Sequence, residues 1–117
     1  MDFAATMSAF VDACVPEEDC AAERAWGKKI VMRSSSRDAI DLMTCMEGKE
    51  YQQHLHAIDL PTLVLHGSRD AISPLANAKT IASALPQAEL AVAEGAGHVP
   101  TVTRPQWVAD SIQAKFG

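Results

Sequence analysis

Apolar residues recur at helical spacing in the first half of the chain and predict three helices before Ile58. The first helix ends before Pro16 and carries an apolar stripe at i, i+4, i+7, i+8 and i+11, formed by Phe3, Met7, Phe10, Val11 and Cys14. Pro16 and the three acidic residues after it are expected to open the second helix, because proline suits a first turn and carboxylates favour its positive end. The third helix is expected between a serine cap at 34–36 and Gly48.

After Ile58 the pattern changes from helices alone to strands that alternate with helices. The apolar run Thr62–His66 does not alternate with polar residues, which is typical of a strand covered on both faces in a parallel sheet. A helix from Ser73-Pro74 to Pro86, a second strand over 89–93 and a last helix from Thr103-Arg104-Pro105 follow. This order predicts an α/β fold in which the two strands are parallel.

Two parallel strands are too few to form a complete sheet. They cannot bury both faces of the first strand, and they leave its outer backbone N–H and C=O groups without partners. We therefore expect either that another chain adds strands or that the chain associates with itself.

Composition narrows the class of protein. With 117 residues, 48% apolar and 21% charged, the chain has the make-up of a globular domain or part of one. A net charge of −5 without any basic run argues against nucleic-acid binding. The odd number of cysteines, the lack of an export signal and the lack of a run of about 20 apolar residues predict a cytoplasmic protein with reduced thiols and no membrane contact.

No metal or cofactor is expected. The cysteines have no ligand-like spacing. His54 and His56, near Glu50 and Asp59, have the residue types of a metal site, but residues two apart do not share a helix face and no third ligand is set by spacing.

Two motifs in the second half resemble parts of a known family of enzymes. The segment LPTLVLHGSRD, which ends at Asp70, resembles the stretch of α/β-hydrolases in which a late strand ends in the acid of the catalytic triad. Gly95-Ala96-Gly97-His98 resembles the glycine-flanked loop that presents the triad histidine. The 28 positions between Asp70 and His98 fit a strand–helix–strand unit, which returns both residues to the edge of the sheet where parallel α/β folds bind ligands.

The resemblance implies a role for each residue. Asp70 would accept the Nδ1–H of His98, and His98 would act as general base in the hydrolysis of an ester, a lactone or a related acyl bond of a small molecule. Residues 1–57 would form a helical, cap-like segment and residues 58–117 the C-terminal part of the hydrolase core. Gly67 and Gly97 are expected to let the backbone turn sharply, and His66 to pack or hydrogen-bond near the site. Taken singly, the acid could merely start a turn and the histidine could be a surface residue.

The nucleophile of this family is missing from the sequence. It lies in a Gly-x-Ser-x-Gly elbow upstream of the acid, whereas the glycines before Gly67 are Gly27 and Gly48, too far apart to flank one serine. Ser68 lies on the turn of the acid, where a turn or capping role is expected. The position of Met1 suggests a relative cut within or just before its cap.

Three hypotheses about function remain open at this stage. The chain is an enzyme half that an N-terminal partner completes, a truncated product without catalysis, or a non-enzymatic module that completes its sheet as a homo-oligomer.

Overall fold

A computed structural model describes residues 2–117 and shows a helical first half followed by strand–helix–strand–helix. The helices are Phe3–Cys14 (α1), Ala21–Val31 (α2), Ser36–Met46 (α3), Leu75–Ala84 (α4), Pro100–Thr103 (α5) and Pro105–Phe116 (α6). The strands are Thr62–Gly67 (β1) and Ala88–Ala93 (β2), and a 3-10 helix covers Gln52–Ala57. The α/β fold class predicted from the sequence is confirmed.

The two strands pair in parallel, as predicted. Thr62 lies opposite Ala88 and Gly67 opposite Ala93, so the C-terminal ends of the strands are neighbours. α4 packs against both strands, and α6 packs against β1. The loops that follow β1 and β2 therefore leave the sheet side by side at the same edge.

The end signals of α3 act as the sequence indicates. Ser35 caps the helix by accepting from the backbone N–H of Asp38, and the Asp38 side chain accepts from the backbone N–H of Ser35, which completes a capping box. Gly48 has a φ of 70° just beyond the helix end, a conformation that glycine adopts without steric cost.

The expected start of the second helix at Pro16 is wrong. Residues between α1 and α2 are not helical, and α2 begins only at Ala21. The guanidinium of Arg24 donates to the carbonyls of Val15 and Glu17, at 3.0 and 2.6 Å, and holds this connection in its non-helical shape. Val15, Glu17 and Cys20 are buried, so tertiary contacts override the local preference for a helical start.

The fold is more open than that of a compact domain. Its accessible surface is 7856 Å², compared with about 6,200 Å² for a compact monomer of the same mass. The radius of gyration is 16.0 Å, whereas about 13 Å is typical for this length. Several large apolar side chains of α3 are exposed: Ile40, Leu42, Met43 and Met46.

Within residues 2–117 there is no helix of the length and apolarity that crossing a membrane requires.

Candidate active site

The loop after β1, residues 68–74 (the acid loop), wraps around the carboxylate of Asp70. Its Oδ1 accepts the backbone N–H groups of Ile72, at 2.9 Å, and Ser73, at 2.8 Å. The Asp70 side chain is only 3% exposed. Asp70 therefore does stabilise a turn, as an isolated aspartate could. The same turn orients its carboxylate toward the loop after β2, residues 94–99 (the histidine loop).

That carboxylate meets the imidazole of His98. His98 Nδ1 lies 2.9 Å from Oδ2 and 3.1 Å from Oδ1 of Asp70. An ionised carboxylate only accepts, so Nδ1 carries the proton and Nε2 is left with a free lone pair. In the part of the chain that the structure describes, the side chain of His98 hydrogen-bonds to Asp70 alone. The sequence-predicted pair is thus brought together in the geometry by which a carboxylate orients a basic histidine.

The surroundings of Asp70 favour its charged form. Burial by itself raises the pKa of the carboxyl, but the hydrogen bonds from Ser73, His98 and Ile72 outweigh burial and hold the pKa below its ordinary value. Asp70 is therefore ionised at neutral pH, and it can stabilise positive charge on His98 when Nε2 gains a proton.

A second histidine, His66, also lies against the loop that carries Asp70. His66 Nε2 lies 2.8 Å from the carbonyl oxygen of Ser73 and 3.3 Å from Oδ2 of Asp70. Because a carbonyl only accepts, this nitrogen carries a proton and donates. His66 therefore ties the end of β1 to the acid loop, which confirms the expectation that it hydrogen-bonds near the site.

Three hydrogen bonds join the acid loop to the histidine loop. The Ser68 N–H donates to the carbonyl of Ala93 at 3.1 Å, and the Arg69 N–H donates to that of Ala96 at 2.9 Å. The Ser68 hydroxyl accepts the Gly95 N–H at 2.8 Å. The Ser68 hydroxyl thus links the two loops instead of capping its own turn, which differs from the role expected of it, and the loops are held in a fixed relation.

The expectation that Gly67 and Gly97 allow sharp turns of the backbone is wrong. Gly95, with a φ of 79°, is the residue that turns, whereas neither Gly67 nor Gly97 has a positive φ. A Cβ on Gly67 would collide with the carbonyl oxygens of Ala96 and Gly97. A Cβ on Gly97 would collide with the ring of Pro16 and the carbonyl of Cys14. Glycine is needed at these two positions because backbones approach closely there.

Glu17 also belongs to this region, and the sequence does not single it out. Its Oε1 accepts the Gly97 N–H at 2.8 Å, and the carbonyl of Cys14 accepts the His98 N–H at 2.9 Å. Glu17 is followed by two further acidic residues, and nothing in their order shows which of the three is buried. The connection between α1 and α2 therefore supports the histidine loop through contacts that only the tertiary structure shows.

An open cleft of about 600 Å³ lies beside the acid loop. It is lined by Tyr51, Gln52, Leu55, Ser73, Asn77, Thr80 and Ile81. Ser73 belongs both to this lining and to the hydrogen bonds that hold Asp70. The cleft thus borders a residue that binds Asp70, but neither Asp70 nor His98 lines it, and it contains neither His54 nor His56.

Two other kinds of site, a metal site and a nucleophile bonded to His98, are not formed by residues 2–117. Among residues 2–117, no three histidine, cysteine or acidic side chains come close enough together to hold a metal ion. The same stretch of chain shows no hydrogen bond between His98 and a serine or cysteine side chain, and Ser73 Oγ instead accepts from the side chain of Asn77. Within residues 2–117 the structure thus brings a carboxylate and an imidazole together, and no serine or cysteine side chain is hydrogen-bonded to that imidazole.

A parallel strand pair whose adjacent loops join a buried carboxylate to a histidine is the arrangement of α/β-hydrolases, and comparison with known proteins agrees. Residues 37–116 match the model of the α/β-hydrolase family described as TAP-like protein, and the chain belongs to this family.

Individual relatives match nearly the whole chain. It is 27% identical to a pimeloyl-[acyl-carrier protein] methyl ester esterase of Nitrosomonas europaea, over 97% of this chain and 46% of that protein. An esterase of Exiguobacterium antarcticum superposes with a TM-score of 0.86 at 18% identity, over 97% and 42%. An N-acyl homoserine lactone degrading enzyme superposes with a TM-score of 0.75 at 22% identity, over 97% and 47%. The chain spans less than half the length of each of these three proteins.

Proposed function

We propose that Asp70 and His98 are the orienting acid and the general base of a hydrolase that acts on the acyl bond of a small ester or lactone. The observation that carries this proposal is the 2.9 Å contact between His98 Nδ1 and a carboxylate that is 3% exposed. The proposed nucleophile is a serine supplied by polypeptide outside residues 2–117. His98 Nε2 takes its proton during attack and returns it to the leaving group, while Asp70 stabilises the imidazolium.

The substrate class is proposed from relatives together with the cleft. The Nitrosomonas europaea relative is named a methyl ester esterase, and one structural neighbour is described as degrading a lactone. A methyl ester and a lactone each contain an acyl–oxygen bond, which a serine–histidine–acid triad attacks in the same way. The cleft that borders Ser73 is lined by apolar, hydroxyl and amide side chains, and Ser73 connects it to the loop that holds Asp70.

We further propose that residues 1–57 act as a cap-like segment over the core segment 58–117, and that a further polypeptide completes the sheet. The two-stranded sheet, the large accessible surface and the exposed apolar side chains of α3 support an incomplete unit. An N-terminal hydrolase portion is the first candidate because it also supplies a nucleophile elbow, and a second copy of the chain is the alternative. Light scattering is expected to show that the chain associates, either with an added N-terminal hydrolase portion or with a second copy of itself. A stable monomer that unfolds in the full transition of a compact domain contradicts the proposal that the unit is incomplete.

A chimeric enzyme tests the catalytic assignment. Residues 2–117 replace the matched segment of the Nitrosomonas europaea esterase, and hydrolysis of p-nitrophenyl esters is measured. We expect activity that is lost in His98→Ala and kept in His54→Ala, since His54 is an exposed histidine whose side chain contacts Gln53 and makes no hydrogen bond to Asp70 within residues 2–117. A fluorophosphonate probe should label a serine of the esterase portion.

Either of two results contradicts the assignment. Activity that survives His98→Ala shows that another base acts. Probe labelling of a serine within residues 2–117 shows that the nucleophile has been assigned to the wrong polypeptide.

A further inference from the structure

A glutamate that none of the proposed catalytic steps uses is the most deeply buried charged residue near the site. Glu17 is 2% exposed and lies in the connection between α1 and α2. Its Oε1 accepts both the backbone N–H of Gly97, at 2.8 Å, and the hydroxyl of Thr103, at 2.7 Å. One oxygen atom therefore joins the residue before His98 to the short helix after it.

Stability alone does not account for this carboxylate. Its other oxygen, Oε2, is buried without a hydrogen bond within residues 2–117. An incompletely paired buried charge is costly, and an apolar residue of similar volume in such a position is often neutral or more stabilising. A role in placing the groups that it binds gives a reason to keep the charge.

The carboxylate is charged, and its own position is fixed. Burial works to raise the pKa of Glu17, but the hydrogen bonds from Gly97 and Thr103, together with the nearby charge of Arg104, lower the pKa overall. Arg24 donates to the backbone carbonyl of Glu17 at 2.6 Å and so clamps the connection from the α2 side.

The end of α1, just before this connection, holds the histidine at a second point. The carbonyl of Cys14 accepts the backbone N–H of His98 at 2.9 Å, and Gly97 lies against the ring of Pro16. Two consecutive backbone N–H groups, those of Gly97 and His98, are thus bound by Glu17 in the connection and by Cys14 at the end of α1. These bonds fix the backbone of His98, and with it the position from which the His98 side chain extends toward Asp70.

We infer that Glu17 is a positioning residue that holds the backbone of the histidine loop so that His98 meets Asp70 in the reactive geometry. This inference rests on the proposed function for its catalytic meaning. Its structural part, the hold on the loop, is independent of any activity.

Glu17→Ala and Glu17→Gln test this hold, with Glu18→Gln as the matched control on an exposed neighbour. Amide hydrogen exchange of the full chain is followed by NMR at Gly97 and His98 and at Thr62, whose N–H donates to Gln87 at the other end of the sheet. In Glu17→Ala we expect exchange at Gly97 to become roughly ten- to a hundredfold faster, because a hydrogen bond to a charged acceptor is lost. Thr62 should change much less.

The glutamine variant separates positioning from general stability. Its amide oxygen still accepts from Gly97 and Thr103, but neutral bonds are roughly half as strong as charge-assisted ones, so exchange at Gly97 should lie between wild type and Glu17→Ala. In the chimera, kcat should be lower in Glu17→Gln than in wild type and lowest in Glu17→Ala. KM should stay within about twofold, because ground-state binding does not depend on the placement of His98. Glu18→Gln should match wild type in both measurements.

The inference is overturned if exchange at Gly97 and Thr62 rises by the same factor, since Glu17 then serves only global stability. It is also overturned if kcat is unchanged in Glu17→Gln and Glu17→Ala while His98→Ala is inactive. Survival of activity in His98→Ala overturns the proposed function instead, and the exchange result still decides whether Glu17 holds the loop.

Discussion

Replacing Asp70 by asparagine changes one oxygen to an amide nitrogen at the centre of the site. The remaining oxygen can still accept the backbone N–H groups of Ile72 and Ser73, which now meet Oδ1. The new amide group donates where Oδ2 accepts from His98 Nδ1. Two donors cannot face each other, and Oδ1 already accepts two backbone N–H groups, so we expect His98 to move its proton from Nδ1 to Nε2.

The magnitude follows from the bonds that Asp70 makes. Charge-assisted hydrogen bonds are roughly twice as strong as neutral ones, and a neutral bond contributes about 1 kcal/mol. The two backbone bonds to Oδ1 therefore weaken by about 1 kcal/mol each, and the variant should lose about 2 kcal/mol of unfolding free energy. For a domain of this size that corresponds to a melting temperature lower by about 6–12 °C. In the chimera, the wrong tautomer should reduce kcat by on the order of 10⁴.

Urea unfolding measures the stability, and the nitrogen chemical shifts of His98 report which ring nitrogen carries the proton. Asp110→Asn is the matched control, because Asp110 is exposed and accepts only from the Gln106 side chain. The control should stay within about 0.5 kcal/mol of wild type. If His98 keeps its proton on Nδ1 in Asp70→Asn, or if stability is unchanged, the carboxylate does not orient the imidazole and the reasoning fails.

Two further predictions concern the backbone and the pH dependence of the site. Gly97→Ala should lower the unfolding free energy by about 1–3 kcal/mol, because the added methyl group overpacks against Pro16 and Cys14. At Gly95 there is open space, so Gly95→Ala should lower it by about 1–2 kcal/mol through the strain of a φ of 79° alone. Urea unfolding measures both losses. Amide exchange at His98 should become faster only in Gly97→Ala, and an unchanged rate in that variant would contradict the close approach of Gly97 to Pro16 and Cys14. The lowered pKa values of Asp70 and Glu17 mean that their stabilisation is complete above their ordinary pKa of about 4 and is lost as pH falls through the lower folded values. Unfolding free energy measured from pH 6 to pH 3 should therefore decrease, and a flat profile refutes this.

The resemblance of two motifs to α/β-hydrolases singled out Asp70 and His98, and local rules explain why the two residues come close. A non-alternating run such as Thr62–His66 favours a buried strand, and the proline and serine signals around α4 favour a helix between two strands. Once those strands are parallel, the residues just beyond their C-terminal ends must meet at one edge. Asp70 and His98 occupy those places, so topology alone brings them close.

The contacts that stabilise the histidine loop were decided by the tertiary structure. Pro16 and Glu17 have the local preferences of a helix start, but Gly97 and Thr103 lie 80 and 86 positions away and draw the carboxylate into the interior. A short-range pattern carries no information about such distant donors. For the same reason the sequence could indicate glycine at 67 and 97 but not that close backbone approach, rather than a turn, requires it.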